Sequence, residues 1–200
     1  MLLKKCNKAI YHFIKRLFDI FISLIALVFV IPITIVIFLI DRFGDNRGPV
    51  FYKQRRIGKN HKSFYIYKYR SMIIDADERL YDLYVKSSYK LPSDKDPRIT
   101  KFGRFMRKSS LDELPQFFNI LKGDMSLIGP RPVVEEELKE YGDRVDKFLS
   151  VVPGAMGYWQ ASGRSSILYP ERCEVELYYV DHASLCFDIK IIFKNIISIF

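Results

Sequence analysis

The run from Leu17 to Ile40, LFDIFISLIALVFVIPITIVIFLI, constrains this chain more than anything else in it. Its clearly polar side chains are Asp19, Ser23 and Thr34. As one helix, these 24 residues reach about 36 Å, enough to cross a hydrocarbon core. The run is too long for the apolar part of a signal peptide, and no small-residue cleavage site follows it. A membrane segment is therefore expected.

Two features bear on how that segment sits. Pro32 lies past its middle, and proline removes a backbone donor and crowds the preceding turn. Basic residues flank both ends: Lys4, Lys5, Lys8, Lys15 and Arg16 before it, and nine Lys or Arg between residues 41 and 70 after it. The positive-inside bias pulls both flanks to the cytoplasmic side. A re-entrant hairpin broken near Pro32 satisfies both features. A kinked single span also tolerates proline, and the residues alone leave both readings open.

Beyond Asp41 the chain turns polar. Val50–Arg56 and Lys62–Arg70 are rich in β-branched and aromatic residues around Gly58-Lys59-Asn60-His61, which predicts a β-hairpin. Helices are expected over 72–88, 101–108, 114–121, 135–151, 171–180 and 187–200, the last a candidate for the membrane interface. The fold class is α+β and mainly helical. It divides into a basic N-terminal segment with the membrane helix, hairpin or span (1–44), and a polar domain with a small β-hairpin (45–200). The net charge of +9 favours anionic partners. Because the basic residues flank a membrane segment and a carboxylate pair, no nucleic-acid groove is expected. Three cysteines without a CxxC point to a reducing compartment.

The chemistry concentrates at Ser109-Ser110-Leu111-Asp112-Glu113-Leu114-Pro115. Ser110-x-x-Glu113 is a capping-box pattern, and acids in a first helical turn suit the helix dipole. Pro115 instead favours a helix start near Asp112 or Glu113. An ionised aspartate there can attack phosphorus, and its neighbour can hold a divalent cation. Arg98, Arg104 and Arg107 precede the pair, and Arg131 stands in the rigid Gly129-Pro130-Arg131-Pro132 turn; guanidinium groups clamp phosphates.

Together these stretches resemble the bacterial sugar transferases, the monotopic phosphoglycosyl transferases. The likeness runs from about Lys15 to the C-terminus through KRLFD (15–19), GPVFYKQRRIG (48–58), YKYRSM (67–72), DPRITKFGRFMRKSSLDELPQFFNILKGDMSLIGPRP (96–132) and PGAMGYWQASGRSS (153–166). The resemblance implies a re-entrant membrane helix and a site at the cytoplasmic face of the bacterial inner membrane. It implies transfer of sugar 1-phosphate from a UDP-sugar to undecaprenyl phosphate, with UMP released, at the start of exopolysaccharide or O-antigen synthesis. Asp112 matches the nucleophile and Glu113 the Mg2+ ligand. Lys68, Arg107, Arg131 and Asp188 fall on site-associated positions, and Gly129–Pro132 on the region linked to nucleotide binding. Expected partners are the two substrates, inner-membrane lipid and a second copy in a homodimer.

The chain departs from the family pattern at Ala155-Met156-Gly157, where Thr is usual, and at Glu174-Val175-Glu176, where Glu-x-Asp is common. These bear on the sugar, for which UDP-galactose or UDP-glucose is the expectation. The competing function is a non-enzymatic membrane adaptor of polysaccharide assembly with the same fold.

Overall fold

The computed structural model describes residues 2–43, 48–76, 78–79, 96–163 and 166–197. In chain order the named elements are α1 (Leu2–Phe43), β1 (Phe51–Ile57), β2 (Ser63–Tyr69), α2 (Lys101–Lys108), α3 (Gln116–Lys122), β3 (Ser126–Ile128), α4 (Val145–Phe148), β4 (Gly154–Met156), α5 (Tyr158–Ser162), α6 (Glu171–His182) and α7 (Leu185–Ile197). They form two compact units interleaved along the chain. One comprises residues 1–27, 54–66 and 116–200, the other 28–53 and 67–115. The class is the mainly helical one expected, with one small antiparallel sheet and one long apolar helix.

α1 stays helical through Pro32, so the two-armed break expected there is not seen. Side-chain partners gather beside the proline: the Val30 carbonyl accepts from Thr34 Oγ1 at 2.7 Å and from the Tyr69 hydroxyl at 3.3 Å. Such bonds let a helix tolerate proline. Along α1 most large apolar side chains face outward, Phe21, Val28, Phe29 and Ile31 each about 60% exposed. That is an unstable surface in water and a stable one in lipid.

β1 and β2 meet as the expected hairpin; its tip, residues 54–66, belongs to the larger unit and is turned by Lys59–His61 with Asn60 and His61 at positive φ. The short strands β3 and β4 pair in parallel, Ser126 opposite Gly154 and Ile128 opposite Met156. Sequence reasoning did not anticipate this pair, because three residues are too few to show a period. It explains two motifs at once. A Cβ on Gly154 would overlap the Gly129 backbone, so the glycine of GPRP and that of PGAMG are needed for the two strands to touch. Phe64, Ile66, Ile120, Met125, Leu127, Ile128, Tyr179 and Ile191 form one core, and Ile57, Val133, Tyr141, Phe148, Leu149, Cys173 and Leu177 a second. The segment 135–151, expected as one helix, is mostly 3-10 (Glu135–Arg144), interrupted at Gly142 (φ 52), with α-helix over Val145–Phe148.

In the smaller unit, Met72 forms a β-bridge with Ile99 and a turn covers 74–76, where a helix had been expected from 72. The rest of that expected helix lies outside the described residues, apart from 78–79. Val30, Ile37, Tyr69, Ala76, Ile99 and Met106 are buried apolar residues of this unit among the described residues.

Candidate active site

The carboxylate pair is positioned by α2. Thr100 caps that helix by accepting from the Gly103 N–H at 2.8 Å. Gly103 packs directly on the Ser71 carbonyl, where any Cβ would overlap it. That approach sets Arg107 Nε 2.8 Å from the Ser71 hydroxyl, which accepts its hydrogen bond. Past Ser109 the chain reverses at Ser110, which is left-handed at φ 57, and enters a single 3-10 turn, Leu111–Glu113. Ser110 makes no side-chain cap, so the capping box does not form. Glu113 Oε1 instead accepts from Lys68 Nζ on β2 at 2.8 Å. Pro115 falls between the turn and α3, where its missing N–H costs nothing.

Asp112 is buried, only 7% exposed. Burial pushes its carboxyl up to about 6; Lys68 and Arg107 pull the other way, and the Glu113 charge adds to the rise. At pH 7 the group is still roughly ten to one ionised. A largely desolvated carboxylate with two cations beside it is suited to attack an electron-poor centre. The structure thus brings Lys68, Arg107, Asp112 and Glu113 together.

Arg98 and Arg104 stand differently. Arg98 grips Asp96 through Nε and Nη2 at 3.0 and 2.8 Å and donates to the Ala76 carbonyl, a fold-holding clamp. Its hydrogen bonds hold Asp96 below the usual carboxylate range. Arg104 is on the exposed side of α2.

The other expected residues belong to the larger unit. Gly129, Pro130, Arg131 and Pro132 follow β3. The Arg131 N–H donates to the Glu176 carboxylate of α6, at 3.2 Å from one oxygen. Glu176 is fully buried, and burial pushes it up to about 7 against the pull of Arg172 and that N–H. Asp188 on α7 is a structural tie: it accepts from Lys15 Nζ at 2.7 Å, Tyr11 at 3.0 Å and Tyr179 at 2.8 Å. Ser71 and Glu176, which orient Arg107 and the Gly129–Pro132 turn, were missed as site residues. Only their final contacts reveal that role.

Asp112 and Glu113 fit a hard divalent cation. The pair offers carboxylate oxygens and Glu113 is partly exposed, which suits an ion that takes one or two protein carboxylates and fills its other positions with phosphate and water. Among the described residues no cluster of three or more His, Cys, Asp or Glu gathers, here or elsewhere.

The long outward-apolar helix suits association with a membrane, and the buried Asp112 carboxylate lies under the influence of Lys68 and Arg107. Residues 10–200 match the family model of the bacterial sugar transferases. The undecaprenyl-phosphate galactose phosphotransferase of Salmonella typhimurium is 44% identical over 193 residues, covering 92% of this chain and 40% of that protein. The exopolysaccharide production protein ExoY of Rhizobium meliloti is 41% identical, covering 91% of this chain and 83% of ExoY. The UDP-N-acetylgalactosamine-undecaprenyl-phosphate N-acetylgalactosaminephosphotransferase of Aeromonas hydrophila is 36% identical, covering 95% and 44%. The chain spans about two fifths of the Salmonella and Aeromonas proteins and most of ExoY. It belongs to the bacterial sugar transferase family.

Proposed function

We propose that this protein transfers a sugar 1-phosphate from a UDP-hexose to undecaprenyl phosphate at the cytoplasmic face of the inner membrane. The observation that carries the reading is the buried Asp112 carboxylate with Lys68 and Arg107 acting on it. Two of the relatives are named for undecaprenyl-phosphate sugar transfer, one for galactose and one for N-acetylgalactosamine. The hexose is proposed as galactose or glucose.

Asp112 Oδ attacks the sugar-bearing phosphorus of the donor. The phosphoanhydride bond breaks and UMP leaves with the bridging oxygen. The lipid phosphate then attacks the same phosphorus, the aspartyl–phosphorus bond breaks, and Asp112 is restored as the polyprenyl diphosphosugar forms. Arg107, steadied at Nε by Ser71, presents its outer nitrogens to the diphosphate. Lys68 balances Glu113 before the donor arrives. A Mg2+ ion held by Glu113, with Asp112 beside it, would neutralise diphosphate charge. The two-step route lets a water-soluble donor and a lipid acceptor use one carboxylate in turn.

The proposed membrane disposition is re-entrant: α1 would bend at Pro32 within its continuous helix, both ends of the apolar segment staying cytoplasmic. Polar chain segments tie both ends: Asp19 accepts the Leu127 N–H at 2.8 Å, and Asp41 pairs with Arg70 at 3.6 Å. A helix delivering Asp41 to the far side would need Arg70 and its hairpin there too, against the positive-inside bias.

UMP release from UDP-galactose or UDP-glucose with undecaprenyl phosphate tests the reaction. Asp112→Asn is expected to lose about a thousandfold or more of the rate. Full activity in that variant, or no release from any UDP-sugar, overturns the assignment.

A further inference from the structure

The larger unit holds a cavity of about 200 Å³ that shares no residue with the carboxylate site. Tyr11, His12 and Lys15 of α1 form one wall, with Lys59 of the hairpin turn, Met125 and Val151 among the rest. Its charge balance is uneven. Lys15 is neutralised by Asp188. Arg16 is spent on the carbonyls of Ile120 and Leu121, at the C-terminal end of α3. Asp19 accepts the Leu127 N–H. His12 and Lys59 are exposed, and neither side chain has a hydrogen bond or ion pair among the described residues. His12 is held below the ordinary histidine range by partial burial and then by Lys59, Lys15 and Lys8. Lys59, Lys15 and Lys8 thus set a positive potential on this region, opposed by Asp188 and by Asp19 of the cavity wall.

Lys59 does not wander freely at the backbone. The left-handed Asn60 and His61 shape its turn, and the Asn60 N–H donates to the Leu149 carbonyl at 2.8 Å. Ile10, Phe13, Ile14 and Leu17 lie outward on the same stretch of α1, between 40% and 66% exposed. A cationic cavity thus sits where this helix passes from a polar to an apolar surface, the level of lipid phosphates once the apolar face is in a bilayer. The space is below the range of pockets that take drug-sized ligands and suits a small phosphate head.

We propose that this cavity binds the phosphate head group of an anionic membrane lipid, with His12 and Lys59 as its donors. Such a site would hold the first turns of α1 at the interface independently of the transfer reaction.

The test is lipid binding to the detergent-solubilised full chain, with bound phosphatidylglycerol counted by native mass spectrometry. Wild type is expected to retain one tightly bound phosphatidylglycerol in preference to phosphatidylcholine. His12→Gln/Lys59→Gln is expected to bind it about tenfold more weakly or worse, the usual cost of lost charge-assisted hydrogen bonds. Lys139→Gln, an exposed charge outside the cavity, is the control. Both substituted side chains are exposed, and an unchanged lipid-free unfolding midpoint certifies the fold; Lys59→Glu supplies a second, charge-reversing readout. Equal loss in the control and the cavity variants, or equal affinity for both lipids, overturns the proposal. Displacement of the lipid by inorganic phosphate at matching concentration overturns the lipid assignment in favour of a free-anion site.

Discussion

At the scale of single residues, Asp112 carries a cost that its chemistry requires. Its folded carboxyl titrates near 6, above an unfolded aspartate, so between those values the folded state holds more protons than the unfolded chain. Stability therefore falls as pH rises through this window, and the full penalty, at most about 3 kcal/mol, is present at pH 7. Asp112→Asn is expected to raise the unfolding midpoint at pH 8 and to leave it almost unchanged at pH 3, as scanning calorimetry would read. A lower midpoint at pH 8 would mean that the carboxylate stabilises the fold. The same group sets an acid limit on activity. As the proposed nucleophile it would attack only when ionised, so kcat/KM is expected to fall tenfold per pH unit below about 6. A profile flat down to pH 4.5 would place the nucleophile elsewhere. The pair stood out in sequence as two adjacent acids before a proline-led helix, and the role proposed for it came from the family resemblance. Its partners were only partly so: nothing in YKYRSM says that Ser71, through its hydroxyl, steadies Arg107.

At the scale of elements, the long periodic segments were readable and the short ones were not. α1, the β-hairpin, α2, α6 and α7 follow from runs long enough to show a period. β3 and β4, three residues each, exist because Gly129 and Gly154 let two backbones meet, a tertiary fact. Helix α2 depends on a similar contact. Gly103→Ala would drive a methyl group into the Ser71 carbonyl, and a loss of about 2–4 kcal/mol is expected in chemical denaturation, with Arg107 displaced as well. Asp188 also belongs to this scale. Its resemblance-based place in the substrate site competes with what it touches, Lys15 and two tyrosine hydroxyls. Asp188→Ala should cost about 3–5 kcal/mol by stranding Lys15, and Lys15→Met/Asp188→Leu should recover much of it. A large loss of activity with no loss of stability would return Asp188 to the substrate.

At the scale of the whole molecule, the apolar run dictated a membrane protein and the structure leaves that run facing outward. The helix runs on through Pro32: proline removes one backbone bond, and Thr34 and Tyr69 add side-chain bonds beside it. What the two flanks share is the proposed side of the membrane. Single cysteines placed at Ile10 and Phe43 are expected to react with an impermeant reagent only from the cytoplasmic side, and reaction of either from outside would refute the re-entrant disposition. The central claim, covalent use of Asp112, is tested most directly by intact-mass measurement of the protein mixed with UDP-sugar and Mg2+ and no lipid acceptor. The account requires a mass gain of one sugar phosphate, mapped to Asp112 and discharged on adding undecaprenyl phosphate. An unmodified protein that releases UMP only when both substrates are present would contradict it.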